Sequence, residues 1–221
     1  MTAVPRLAMV LATDSWPTAA TTAAHLARQS RAADVELVIV AEPGGVRVPD
    51  AAADGLAGIA VVEEPGALAD LARARAAGVR AARAPVIAFG ETHSFPQPRW
   101  ADGLLRAFED ERLAAAGPAV ANGNPDTLRS WVSALMDYGP WVPPVEPSDQ
   151  LDLPGHNSAF RRDVLLARGD GLADALRSDT LLSRDLRLDG HVVRVEPAAR
   201  TAHVNATLPV SWLRDRVRVE R

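Results

Sequence analysis

Val86-Ile87-Ala88-Phe89-Gly90-Glu91-Thr92-His93 sets four consecutive apolar residues directly before a glycine, an acid and an imidazole. A short apolar run without polar alternation suits a strand buried on both faces, as in a parallel sheet covered by helices. Ligands of open α/β sheets bind beyond the carboxyl ends of such strands. In extended backbone, residues two apart project to one face, so Glu91 and His93 can converge on one ion. The plain alternative is a surface turn with an incidental acid and histidine.

Working outward, Leu7 to Ala12 and Val35 to Val40 are two more buried-strand runs, and Gly58 to Val62 reads as a third strand before the quoted one. Between them lie helical patterns: one from Ser15-Trp16-Pro17 to about Ser30, with Ser15 at the cap and Pro17 in the first turn, and one across Gly66 to Arg83. Strand alternating with helix predicts an α/β fold with a mostly parallel central sheet and helices on both faces. Downstream, the pattern predicts a helix over 99–116, a strand over 118–121 and a helix over 127–138. A proline-rich loop holding Trp141 follows, then a glycine-led loop at 154–157 entering a helix near 161–168. A helix over 178–188 and a strand over 191–195, which Pro197 ends, complete the chain. With no internal repeat, one domain is expected over 1–221.

Composition removes several chemistries. The 221 residues include no cysteine, so thiolate metal sites and cysteine nucleophiles are excluded. All 24 basic residues are arginine, which excludes Schiff-base lysines and a P-loop lysine. A net charge of −4 argues against nucleic acid as partner. The arginine-rich stretch from Arg214 to Arg221 is interrupted by Asp215 and Glu220 and reads as a solvated tail. No signal-type segment or membrane-length apolar run is apparent, so a cytoplasmic protein without a transmembrane segment is expected.

Five stretches taken in order resemble glycosyltransferase family 2: Leu11-Ala12-Thr13, Val38-Ile39-Val40-Ala41-Glu42, Ala74-Arg75-Ala76-Ala77-Gly78, Glu91-Thr92-His93 and Pro98-Arg99-Trp100. Ser178-Asp179-Thr180-Leu181-Leu182, Asp185-Leu186 and Gly190 are similar to the family's acidic helix, and Pro197-Ala198 with Thr201-Ala202-His203 is similar to its ending. The resemblance covers about nine tenths of the chain. It departs where the family's Asp-x-Asp is Glu91-x-His93, and where an acidic pair is reduced to Glu42.

That resemblance implies the A-type glycosyltransferase fold, with 1–93 as nucleotide-binding half and 94–221 as acceptor-side half. It implies a nucleotide-diphospho-sugar donor, an acceptor of unknown type (small molecule, lipid-linked or glycan) and, carried over from the family, inversion at the anomeric carbon. Glu91, His93 and His203 would hold a divalent cation, Mn2+ or Mg2+, with imidazole nitrogen tilting the site towards Mn2+. His203 can equally be a loop histidine bound to backbone. Asp179 falls where the family's catalytic aspartate falls. Its alternative role is at the helix N-terminus, and Asp174 and Asp185 compete with it. Thr13, Glu42 and Arg75 would meet the nucleotide or diphosphate. Gly155, His156 and Asn157 would line the donor side if their loop presents N–H groups at a helix start. Arg161 and Arg162 can be site or surface residues. Among the aromatics, Trp100 and Trp131 suit the core, Trp141 suits sugar contact, and Tyr138 can join a stacking platform. Two other classes stand beside this reading: a non-catalytic nucleotide-sugar-binding or scaffold protein of the same fold, and a nucleotidyltransferase.

Overall fold

The structure is a computed structural model, describing residues 4–149 and 152–205. The arginine-rich stretch from Arg214 lies outside the described residues. Four strands, β1 (Leu7–Ala12), β2 (Val35–Ala41), β3 (Gly58–Glu63) and β4 (Val86–Phe89), pair in parallel in the order β3-β2-β1-β4. Four more extend the sheet: β5 (Ser94–Pro96), β6 (Leu113–Asn122), β7 (Ala159–Arg161) and β8 (Val192–His203). The full order is β3-β2-β1-β4-β7-β6-β8-β5. β7 runs antiparallel to both β4 and β6, and β5 antiparallel to β8, while β6 and β8 are parallel.

Alternation along each buried strand divides the core into two layers. Leu7, Met9, Leu11, Leu37 and Ile39 pack with Leu26 of α1 (Trp16–Ala27) and with Trp100 and Leu104 of α3 (Trp100–Ala107). Ala8, Val10, Val38 and Val40 face the other way, against Val79 of α2 (Leu71–Ala81). Leu165 of α5 (Arg162–Leu166), Leu172 of α6 (Leu172–Ala175) and Leu182 of α7 (Asp179–Leu188) extend that second layer. Each fully buried large aliphatic side chain contributes about 1.5–3 kcal/mol. α2 reaches the sheet closely because Gly78 has no side chain: a Cβ there would lie 2.3 Å from Val10 Cγ1. Glu36, acidic within a buried strand, is satisfied by the Arg83 and Ala84 N–H groups at 2.7 and 2.9 Å and by the Arg83 guanidinium. It thereby ties the end of α2 to β2.

Four expectations change, three of them in the second half. The helix predicted over 99–116 ends at Ala107, and Leu113–Ala116 belongs to β6. The alanines have helix propensity, but here both faces are buried and both edges paired, by β7 and β8, and tertiary pairing overrides propensity. Second, the loop at 154–157 enters the strand β7, not a helix. Third, β8 continues through Pro197 by a bulge. Glu196 stands opposite Pro118 and Arg200 opposite Ala119, which leaves Pro197, Ala198 and Ala199 outside the ladder. Proline is tolerated there because its missing N–H is not asked for. α3 sits directly on this bulge, and a Cβ at Gly103 would lie 2.6 Å from the Ala199 nitrogen. Finally, Ser15 occupies the cap position of α1, but its hydroxyl meets Thr18 Oγ1 at 2.9 Å instead of a backbone N–H.

Candidate active site

The site forms where β4 ends and where β8, after crossing the sheet, ends beside it. After Phe89 the chain turns sharply: Glu91 bridges to Ser94, and β5 pairs with the last residues of β8, setting Ser94 opposite His203. The convergence of Glu91 and His93 therefore comes from a tight turn, and the extended-strand argument is corrected on that point. His93 Nε2 lies 3.6 Å and His203 Nε2 3.8 Å from Glu91 Oε2. One ligand atom from each of the three falls within 4.8 Å of the others. Donor atoms sharing one ion at bonds of about 2.1 Å sit roughly 3–3.5 Å apart. A contraction of a few tenths of an ångström on the two shorter separations meets that range, so these residues fit a divalent cation.

The groups behind these side chains fix their chemistry. Asn205 Nδ2 donates to Asn122 Oδ1 and to the His203 carbonyl, both at 3.0 Å. Its Oδ1 is therefore left to accept from His203 Nδ1 at 3.0 Å. That places the ring proton on Nδ1 and the lone pair on Nε2, the nitrogen facing Glu91, which is the usual arrangement behind a metal-binding imidazole. Tyr138, at the end of α4 (Leu128–Tyr138), presents its hydroxyl to the same Nε2 at 3.1 Å. Its ring also packs against His156 and His203, at centroid distances of 4.8 and 4.6 Å. Burial, with the neighbouring His93, pushes His203 down to about 4. Burial, then His203, His93 and Arg75, hold His156 well below the usual histidine value. Burial also raises Glu91, opposed by His93 and Arg75. Neutral imidazoles are the form that binds a metal.

A cleft of ≈ 380 Å³ adjoins the cluster, lined among others by Val10, Thr13, Asp14, Arg75, Glu91 and His93. Arg75, on α2, is also the ion-pair partner of Asp179. Its Nη1 lies 3.3 and 3.4 Å from the two carboxylate oxygens, its Nη2 donates to the Gly155 carbonyl at 3.1 Å, and its guanidinium stacks over Phe89. Asp179 opens α7 without capping it, because the Ser178 hydroxyl accepts the Leu181 N–H. Burial raises the Asp179 carboxyl and Arg75 opposes that rise.

Other expected site residues are placed differently. Glu42 accepts the Gly66 N–H at 2.7 Å and fixes a loop, and Asp14 stands at the cleft instead. The phosphate cradle expected at Gly155, His156 and Asn157 is overturned in its geometry. His156 and Asn157 are buried ahead of a strand, and the Asn157 N–H donates to the Phe89 carbonyl at 2.6 Å. Asn157 instead orders the turn, its Nδ2 donating to Ser94 Oγ at 2.9 Å, and Ser94 Oγ in turn meets His156 Nδ1 at 2.9 Å. Gly155 touches the site through its carbonyl on Arg75. Arg161 binds the carbonyls of Phe108, Asp110 and Leu113, and Arg162 those of Val79 and Arg80, which makes both structural. Trp141 donates to the Asp152 carbonyl and packs on the core while remaining partly exposed. Trp100 is fully buried and donates to the Asn157 carbonyl. Sequence reasoning passed over Asp14, and it named Tyr138 only as a stacking ring.

This architecture is that of the A-type glycosyltransferases. GalNAc-T7, solved with UDP, GalNAc and Mn2+, superposes with a TM-score of 0.64 at 14% identity, over 92% of this chain and 44% of that one. TarS of S. aureus superposes with a TM-score of 0.62 at 13% identity, over 91% of this chain and 37% of that one. The chain thus spans less than half the length of either. A search of curated proteins finds no match. The model of glycosyl transferase family 2 matches residues 9–168, and the chain belongs to that family. Among the described residues, no helix is long and apolar enough to cross a membrane.

Proposed function

We propose that this chain transfers a sugar from a nucleotide-diphospho-sugar to an acceptor hydroxyl, with inversion, in the cytoplasm. Residues 1–93 bind the nucleotide and 94–221 face the acceptor. The observation that carries this reading is the convergence of Glu91, His93 and His203 beside a cleft whose wall includes Arg75, the partner of Asp179. Glu91, His93 and His203 hold the divalent cation, and their two nitrogen donors favour Mn2+ over Mg2+. When bound, that cation stabilises the negative charge gathering on the departing diphosphate.

The chain's own residues do the rest. Asp179 accepts the proton of the acceptor hydroxyl as its oxygen bonds to the anomeric carbon. The bond from that carbon to the diphosphate oxygen breaks, and its electron pair leaves with the nucleoside diphosphate. A raised carboxyl is a stronger base than an exposed one, which suits the task. Thr13 and Asp14 bound the nucleotide end of the cleft, Arg75 meets the diphosphate, and Asn205 keeps the His203 lone pair aimed inward.

The test is donor hydrolysis or transfer across a panel of nucleotide-sugars with Mn2+, Mg2+ or chelator. Activity is expected with cation, and lost in Glu91→Ala. Purified protein that binds no nucleotide-sugar in a metal-dependent way ends this reading. A second reading, a binding protein without catalysis, is favoured by one observation: the base is already engaged by Arg75. Asp179→Asn would then leave the biological activity intact.

A further inference from the structure

We infer that Arg75 is a transferable clamp, holding the Asp179 carboxylate while the cleft is empty and exchanging it for the diphosphate when a donor enters. The base is thus released by the arrival of the substrate it serves. This rests on the reading of the cleft as donor site and Asp179 as base.

The contact between the two residues has the geometry of a temporary partnership. Strong arginine–carboxylate pairs use two parallel N–H···O bonds at about 2.7–2.9 Å. Here a single nitrogen straddles both oxygens at 3.3 and 3.4 Å, while the other terminal nitrogen is given to the Gly155 carbonyl. Both side chains are mostly buried, 17% and 18% exposed, so the choice of partner is weakly screened. Arg75 also lies on the cleft wall with Glu91.

An entering diphosphate changes that balance. It carries more negative charge than a carboxylate, and its oxygens match the planar guanidinium fork. Stacking on Phe89 gives the guanidinium a face to rest on while its hydrogen bonds change partner. Once the guanidinium leaves, Asp179 keeps its burial and loses the group that opposed the rise of its carboxyl, so it becomes a stronger base with the donor in place. The charged groups facing Asp179 are Arg75 from α2 and, beyond it, Glu91 after β4.

The experiment is a double-mutant cycle read by calorimetric binding of UDP or GDP with Mn2+, each variant checked by thermal melting. If Asp179 and the diphosphate compete for Arg75, Asp179→Asn tightens nucleotide binding about five- to tenfold, a coupling of ordinary size. In the Arg75→Gln background the same change gives less than twofold. An equal gain in both backgrounds, or none in either, overturns the clamp and leaves the glycosyltransferase reading standing. Failure of the parent protein to bind any nucleoside diphosphate overturns both. A second measurement does not depend on the Asn variant. With donor varied, the acidic limb of kcat lies at higher pH than that of kcat/KM in the parent protein, since the two report the loaded and the free enzyme. The limbs coincide in Arg75→Gln. Limbs that already coincide in the parent show a fixed tie, and the clamp is then wrong.

Discussion

The two halves of the sheet bury different things. Within strands β1, β2 and β4 the buried side chains are apolar except Glu36, with Thr13, Thr22 and Gln29 buried beside them, and α2 lies close enough for Gly78 to touch Val10. From β5 to β8 the interior holds a chain of buried polar groups: Ser94, His156, Asn157, Thr201, His203 and Asn205. Burying polar groups costs free energy unless partners are supplied, and the second half supplies many of them through short strands, a bulge and a tight turn, leaving His156 Nε2, Asn157 Oδ1 and Thr201 Oγ1 without a protein partner among the described residues. Regular strands thus build a floor, and irregular ones aim side chains over it.

The sharpest way to break the polar half is at its proposed base. Asp179→Asn is expected to lower kcat by about 10²–10⁴-fold, with donor KM falling in step with the tighter nucleotide binding inferred above, measured by initial rates over a range of donor. A loss smaller than tenfold would move the base elsewhere. Next in size, Asn205→Leu keeps the bulk and removes the acceptor that fixes the His203 tautomer. Manganese affinity should fall about 10–100-fold by titration while the melting profile stays cooperative. Unchanged affinity would mean that Asn205 serves the fold alone.

In the apolar half the corresponding damage is steric. Gly78→Ala drives a methyl into Val10 and should cost about 1–3 kcal/mol. In a chain of this size that is a Tm loss of roughly 2–12 °C by calorimetry. A neutral result would show that α2 can lift from the sheet.

The smallest expected effect is a pH dependence confined to the polar half. His203 titrates at about 4 when folded, below the ordinary 6.5. The unfolded chain therefore binds more protons between those values. Stability of chelator-treated protein is full above about pH 6.5 and declines as pH falls towards 4. Tm measured at steps from pH 7.5 to 4.5 should fall, and His203→Gln should flatten the slope.

The contrast also explains what could be read from the amino acids alone. Leu7–Ala12, Val35–Ala41 and Val86–Phe89 are legible because burial on both faces leaves an unbroken apolar run. β5 and β7, at three residues each, are too short to show a period. The first part of β6 hid inside an alanine-rich stretch whose local preference is helical, and Pro197 read as a stop because a bulge depends on the partner strand. Glu91, His93 and His203 could be singled out by residue type and order. Asp14 at the cleft and Tyr138 on His203 could not, because their positions follow from packing between segments far apart in sequence. Glu42 has the residue type expected at the end of β2, and there it accepts the Gly66 N–H.

Ser178 and Asp179 divide between neighbours two duties that a single acidic residue often combines. The hydroxyl closes the first turn of α7, so the carboxylate owes nothing to helix stability and is free to face inward. Variation at position 178 can then adjust how firmly the helix begins while the proposed base stays untouched, and variation at 179 can remove that carboxylate without melting its support.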